Sequence, residues 1–208
     1  MKYKLIISIT LLFLIACKQR LKTNTSENNL IVSEKIDKEI NSDSLSKKVV
    51  SDFYKWYIND VYLKHIYDYD RAPYKKYDKN KYGLDIKAYE TKLKEVSFFS
   101  NSFRMYLIDI NKKCNQDMLK EYWDSDPNEE GGSFNIPSCQ YRWNYRWFGN
   151  QEDENNKFDI LDKLTVKNKH GYKYFVQTYM YENPFIIYEV SLIIEDGTYK
   201  INFIKSEN

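Results

Sequence analysis

Residues 185–204, FIIYEVSLIIEDGTYKINFI, decide the fold class. Two runs rich in aromatic and β-branched residues flank Asp196-Gly197. Both central positions of a tight type I′ turn need positive φ, which Gly adopts freely and Asp tolerates, so an Asp-Gly pair between two such runs predicts a β-hairpin. Working outward, residues 158–167 and 172–181 have the same texture. Residues 168–171 and 182–184 supply the turns between them. The C-terminal half therefore reads as an antiparallel meander.

Ahead of the strands the hydrophobic period changes. From Ser44, Leu45, Val49, Phe53, Trp56 or Tyr57, Val61 and Ile66 recur at steps of three and four. This pattern predicts an amphipathic helix with Asp43 or Ser44 as its N-cap. Residues 67–83 are charged and tyrosine-rich and contain Pro73, and are predicted as a loop. A short helix is expected over 85–96, with Ile86, Tyr89, Leu93 and Val96 inward. A third starts near Ser100 and reaches about Tyr122, with Phe103, Tyr106, Leu107, Ile110 and Cys114 on one face. Helices followed by a run of strands predict an α+β fold, three helices packed on an antiparallel sheet of four to five strands.

Two stretches carry a family resemblance: Val49-Val50-Ser51-Asp52-Phe53-Tyr54-Lys55-Trp56-Tyr57 near the start, and Gly197-Thr198-Tyr199-Lys200-Ile201-Asn202-Phe203-Ile204 at the end. They resemble the two ends of a family of uncharacterised exported bacterial proteins and lipoproteins, similar in outline to the nuclear-transport-factor-2-like, or cystatin-like, superfamily. The resemblance spans about residues 45–206. It implies a curved sheet wrapped around helices as a cone with a pocket. Its motif positions are packing residues, so it transfers no catalytic residue.

The N-terminus carries an address. Lys2 and Lys4 precede an apolar run from Leu5 to Ile15 that ends in Leu14-Ile15-Ala16-Cys17. A basic start, an apolar segment of about 7 to 15 residues and a small residue before the cut make a signal peptide, here residues 1–16. The run is too short for a bilayer span, which takes about 20 residues. Leu-Ile-Ala-Cys resembles the lipobox of bacterial lipoproteins, which implies that Cys17 is acylated by palmitate-type chains and becomes the first mature residue. Residues 17–43 then read as the lipidated end and a flexible polar tether, and 44–208 as a single domain. The expected location is the cell envelope, attached to a membrane through Cys17 and facing the periplasm or the exterior.

Composition excludes some partners. Lys and Arg number 32 against 30 Asp and Glu, and the two excess positives are Lys2 and Lys4, so the remainder is balanced and has no basic footprint for nucleic acid. The chain has 20 tyrosines. An aromatic ligand surface and the codon bias of an AT-rich genome both account for that count.

Besides Cys17 there are Cys114 and Cys139. In an exported chain they either form one disulfide, closing a loop of about 25 residues worth roughly 3 kcal/mol, or Cys114 stays unpaired and buried on its helix.

No residue pattern carries catalysis, a cofactor or a metal. His65 and His170 have no motif around them, and Gly-x-Ser-x-Gly, His-Glu-x-x-His and phosphate-loop signatures are absent. Asp124, Asp126, Asn128 and Glu130 alternate like the start of a calcium loop. However, Glu129 stands where that loop needs glycine and Asn135 where it needs a bidentate Glu, so a solvated acidic loop is the better reading. Asp109 shares a helical face with Ser102, Met105, Lys112 and Gln116 and is expected to face water.

The most suggestive row in the domain is Cys139, Tyr141, Trp143, Tyr145 and Trp147 alternating with Gln140, Arg142, Asn144 and Arg146, a period of two that predicts a strand. Two readings stay open. Trp143, Tyr145 and Trp147, with Arg142 and Arg146 on the other face, form a ligand or partner surface. Alternatively, the aromatics pack on the first helix as core. The functional expectation is a lipid-anchored, non-enzymatic domain binding a small molecule or a protein. The alternatives are a pocket enzyme of the same fold, or an inhibitor or immunity lipoprotein against a secreted toxin.

Overall fold

The computed structural model describes residues 43–207 apart from 124–126, 128–134, 145–146, 149–156, 163–165, 169–170 and 181. The signal segment, Cys17 and the tether up to residue 42 lie outside the described residues. So do the acidic loop of Asp124, Asp126, Asn128 and Glu130, together with His170, Tyr145, Arg146 and the side chain of Trp143. The chain divides into two units, 1–45 and 46–208; apart from residues 43–45, the described residues belong to the second.

Five antiparallel strands form the main sheet: β3 (Phe158–Ile160), β4 (Val166–Asn168), β5 (Gly171–Met180), β6 (Asn183–Glu195) and β7 (Thr198–Glu207), numbered after a separate two-stranded hairpin. Their order is β3-β5-β6-β7, with β4 also on β5. Asp196 and Gly197 both take positive φ, 50° and 73°, and close the β6–β7 hairpin between Glu195 and Thr198. On β5 and β6, Tyr172, Tyr174 and Val176 lie opposite Leu192, Val190 and Tyr188, and all six are buried. This face is the floor of the core. Gly171 begins β5 because a Cβ there would sit 1.9 Å from the Leu192 carbonyl oxygen.

The strand predicted over 158–167 is two strands. Ile160 pairs with Val176 and Val166 with Lys173, so six steps along one chain match three along β5 and a single register cannot run through both strands. Leu161 still donates to the Phe175 carbonyl at 2.8 Å.

The three predicted helices are present. The first, α1 (43–56), continues into a π-helical turn, Tyr57–Tyr62. The wider turn brings Tyr57, Ile58, Val61 and Tyr62 all to the buried side, four inward residues in six, where α-helical spacing would turn some outward. It ends at His65, in the left-handed region. Helix α2 (Ile86–Glu95) is capped by Asp85, which accepts from the Ala88 amide, and buries Tyr89 and Leu93. Helix α3 (Asn101–Met118) is capped by Ser100, which accepts from the Phe103 amide at 3.1 Å. It stops four residues short of the predicted Tyr122. Between α2 and α3 the chain runs beside β7: Ser100 N donates to Ile201 O at 2.9 Å, and Ile201 N to Phe98 O at 2.8 Å. The start of α3 is thereby fixed to the sheet.

The predicted loop over 67–83 is not a loop throughout. After a 3-10 turn, Tyr67–Tyr69, it forms a hairpin of β1 (Tyr74–Asp78) and β2 (Lys81–Leu84). Side chains and carbonyls of α3 hold it. Asn115 Oδ1 accepts from Leu84 N at 2.7 Å, and Lys81 Nζ donates to the carbonyls of Leu119 and Glu121 at 3.1 and 3.2 Å, satisfying open acceptors at the end of α3. Gly83 lets Asn115 approach, since a Cβ would lie 2.3 Å from its Oδ1.

The predicted strand over 139–147 is also overturned. The described part is a 3-10 turn, Pro137–Cys139, and a one-turn helix, α4 (Tyr141–Asn144). Pro137 opens the turn with its restricted φ, and Cys139 is bonded to Cys114 on α3 with Cα atoms 4.8 Å apart. Among the described residues no strand pairs with this segment. Of its alternating row, Cys139 and Trp147 are buried in the core and Tyr141 is half-buried.

Candidate functional site

The heart of the unit is aromatic. Phe53 on α1 has the rings of Tyr54, Trp56, Tyr57, Phe98, Phe99 and Trp147 at centroid distances of 5.3 to 6.0 Å. Trp147 also lies 5.0 Å from Phe99 and 5.4 Å from Tyr57, and is 3% exposed. Phe148 beside it is fully buried, 5.3 Å from Tyr62. Trp147 therefore belongs to the core and is no partner surface. The same holds for Arg142, which is 6% exposed. Its Nη1 donates to the Ala72 carbonyl at 2.8 Å, and its guanidinium lies 4.6 Å from the centre of the Tyr74 ring. A buried guanidinium is tolerated because a carbonyl and a ring face meet it.

Around Ala72 the structure assembles a polar group that no sequence pattern announced. Asn111 on α3 accepts from the Ala72 amide at 3.2 Å and donates to the Leu107 carbonyl at 2.8 Å, so the Ala72 backbone is held from α3 on its N–H and by Arg142 on its C=O. Two residues earlier, Asp70 accepts from the Tyr57 hydroxyl at 2.6 Å and lies 3.4 Å from Arg71 Nε. Burial pushes the Tyr57 hydroxyl pKa well above its usual 10.0, and the Asp70 charge pushes it further. Tyr89 is raised first by burial and then by the charge of Asp70. Tyr141 is raised by burial, with Arg142 working against the rise. At neutral pH all three are protonated; the Tyr57 hydroxyl donates to Asp70, while those of Tyr89 and Tyr141 are buried without a hydrogen-bond partner among the described residues.

A cleft reaches this group, walled by Phe103, Leu107 and Ile110 of α3, Ile204 of β7, Trp147 and Tyr141, with Asp70 at its base and Tyr106 at its edge. Its free volume is about 10 Å³, room for about one water. Among the described residues, two larger concavities are open surface grooves. One of about 450 Å³ lies along β1 and α2, with Lys75, Lys87, Lys92, Asp68 and Asp85 on its walls. Another of about 510 Å³ lies at the end of α3, with Lys113, Lys120, Asp117 and Glu121. Both mix the two signs of charge, and Lys75 with Asp85, like Lys120 with Asp117, are already paired at 3.2 and 2.6 Å.

The remaining candidates are separated. His65 is exposed, its Nδ1 3.0 Å from the Tyr67 hydroxyl. Asp109 faces solvent from α3. Cys114 and Cys139 are both wholly buried in their disulfide. Among the described residues no three His, Cys, Asp or Glu side chains converge as a metal would need. No family model, no curated protein and no solved structure matches this chain. Asp70 sits in Tyr67-Asp68-Tyr69-Asp70-Arg71-Ala72, where alternating charge reads as surface. Only the fold of that turn over α3 carries its carboxylate inward.

Proposed function

We propose that this chain is an exported, lipid-anchored domain that binds a partner and does not convert a substrate. The observation that carries this reading is the filling, among the described residues, of the cleft between α3, β7 and Trp147. Where the resemblance to the cone-shaped superfamily leads one to expect a pocket, Trp147, Phe103 and Leu107 fill the space and leave room for about one water. An enzyme site or a small-molecule site normally buries most of its ligand in a cavity of about 300 to 1,000 Å³. Recognition on this domain would therefore use its outer surface, which suits a protein ligand better than a small one. A partly polar, charge-balanced surface around a rigid core is compatible with the inhibitor or immunity role, in which a lipoprotein meets a folded partner.

The anchoring rests on Leu14-Ile15-Ala16-Cys17. Among the described residues no helix is long and apolar enough to cross a membrane, which is compatible with attachment through acyl chains alone. A multiply acylated cysteine gives stable attachment at about 0.8 kcal/mol per buried methylene.

Two measurements test the reading. Cys17→Ala expressed in a bacterial host is expected to leave the membrane fraction while keeping the wild-type melting temperature; retention in the membrane overturns the lipid anchor. The purified chain is expected to show no turnover across a broad panel of hydrolase substrates. Turnover that disappears in Asp70→Asn, with folding intact, would replace the binding role by a pocket enzyme.

A further inference from the structure

The described residues 136–144, 147 and 148 owe their place to tertiary contacts. Their own secondary structure is the turn Pro137–Cys139 and the single helical turn Tyr141–Asn144, and neither length supports itself in water. Among the described residues the attachments are few and of different kinds. Cys139 is bonded to Cys114. Ser138 Oγ donates to Asp117 at 2.6 Å. Arg142 reaches Ala72 and Tyr74. Trp147 enters the core among Phe53, Tyr57, Phe99 and Phe103, and Phe148 packs on Tyr62. None of these contacts is part of the β5–β6–β7 ladder or of the backbone hydrogen bonding of α2 and α3. Lifting the described part of the segment would break no backbone hydrogen bond of either.

We propose that this segment is a strap latched by the Cys114–Cys139 disulfide, and that reduction of the bond releases the strap while the helices and the sheet stay folded. The latch works through chain entropy. With the bond formed, Cys139 is already delivered to α3 and docking of Arg142 and Trp147 orders only a short tether. With the bond open, each docking must also close the loop between residues 114 and 139. Both cysteines are fully buried, so a thiol reaches them only from conformations in which the strap has lifted. The step is thiol–disulfide exchange with a small dithiol. One of its thiolates attacks a cysteine sulfur, forming a mixed disulfide and expelling the other cysteine as thiolate. Its second thiol then displaces the first. The protein gains two electrons and two protons as two thiols, and the reductant leaves as its disulfide. If the chain is exported as proposed above, the interior closes only on the oxidising side of the membrane, but the latch itself does not depend on that reading.

Trypsin is the probe. The full chain in detergent, oxidised or reduced with a dithiol, is digested briefly and the fragments are assigned by mass spectrometry. Cleavage after Arg142 reports the strap, while Arg104 in α3 and Lys173 in β5 report the scaffold. Reduction is expected to raise the rate of cleavage after Arg142 by about tenfold or more, with the scaffold sites unchanged, because proteolysis tracks the open population. The double variant Cys114→Ser, Cys139→Ser is expected to behave like the reduced protein without any reductant. Equal protection of Arg142 in both redox states overturns the latch. Simultaneous cleavage at Arg142, Arg104 and Lys173 overturns it too, by showing that the bond holds the whole unit and not the strap.

Discussion

Trp147 and Arg142 were ambiguous as residues in a row and are unambiguous as residues in a fold. Trp147 has Phe53, Tyr57, Phe99 and Phe103 around it, so Trp147→Ala is expected to cost about 3 to 5 kcal/mol in a urea unfolding titration. A residue of a partner surface would change the same midpoint by less than about 0.5 kcal/mol. Arg142→Ala strips the Ala72 carbonyl of its donor and the Tyr74 ring of its cation, and is expected to cost roughly 1 to 3 kcal/mol in the same titration. The period-two pattern predicted that alternate residues differ in burial, yet Tyr141 on the apolar side is only half-buried. The pattern did not reveal that Arg142, on the polar side of that alternation, is buried as well, because its partner is a backbone carbonyl 70 residues away.

At the level of elements, legibility followed locality. Helices α2 and α3 were readable to within a residue of their starts, and the structure adds their caps, Asp85 and Ser100, which act on amides three residues ahead. Either substitution by Ala is expected to lower stability by about 1 kcal/mol. Ser100→Ala is expected to be the costlier in the same denaturation assay, because Ser100 Oγ also donates to Asn202 Oδ1 at 2.9 Å. The β6–β7 hairpin was equally legible through Asp196-Gly197. The β1–β2 hairpin was not: β1, Tyr-Lys-Lys-Tyr-Asp, is largely exposed and has no apolar alternation, and what orders it is Asn115 and the end of α3. Asn115→Ala is accordingly expected to abolish hydrogen-exchange protection at the Leu84 amide while leaving the amides of β5 and β6 protected. Unchanged protection at Leu84 would mean that the β1–β2 ladder is sufficient by itself.

The whole molecule is held together by a core unusually rich in tyrosine, and this has a consequence at high pH. Tyr54, Tyr57 and Tyr89 are raised well above the usual 10.0, in each case chiefly by burial. Below about pH 10 these hydroxyls are protonated in both folded and unfolded chains, and their contribution to stability is fully present. Above it the unfolded chain loses its protons first, so that contribution is lost as the pH rises towards the folded values. The urea midpoint is expected to be flat from pH 7 to 9 and to fall steeply beyond about pH 10, with tyrosinate absorbance appearing together with unfolding. A midpoint that holds through that range, with all tyrosines titrating in the folded protein, would show the interior to be open to water.

The sequence by itself determined the α+β class, the three helices, the antiparallel meander with its Asp-Gly turn, and the motif at Cys17 from which export is proposed. Each of these is written in neighbours along the chain: a spacing of three or four, an alternation of two, a cap three residues from its amide, a cysteine after a small residue. Only the tertiary structure decided that residues 137–144 are helical turns bonded to α3, that residues 74–84 form a hairpin, that Asp70 and Arg142 lie inside, and that the cleft beside Trp147 has room for about one water. Those outcomes depend on partners tens of residues apart in the chain, and on whether large rings fill a volume. Neither has a period that a single sequence can display.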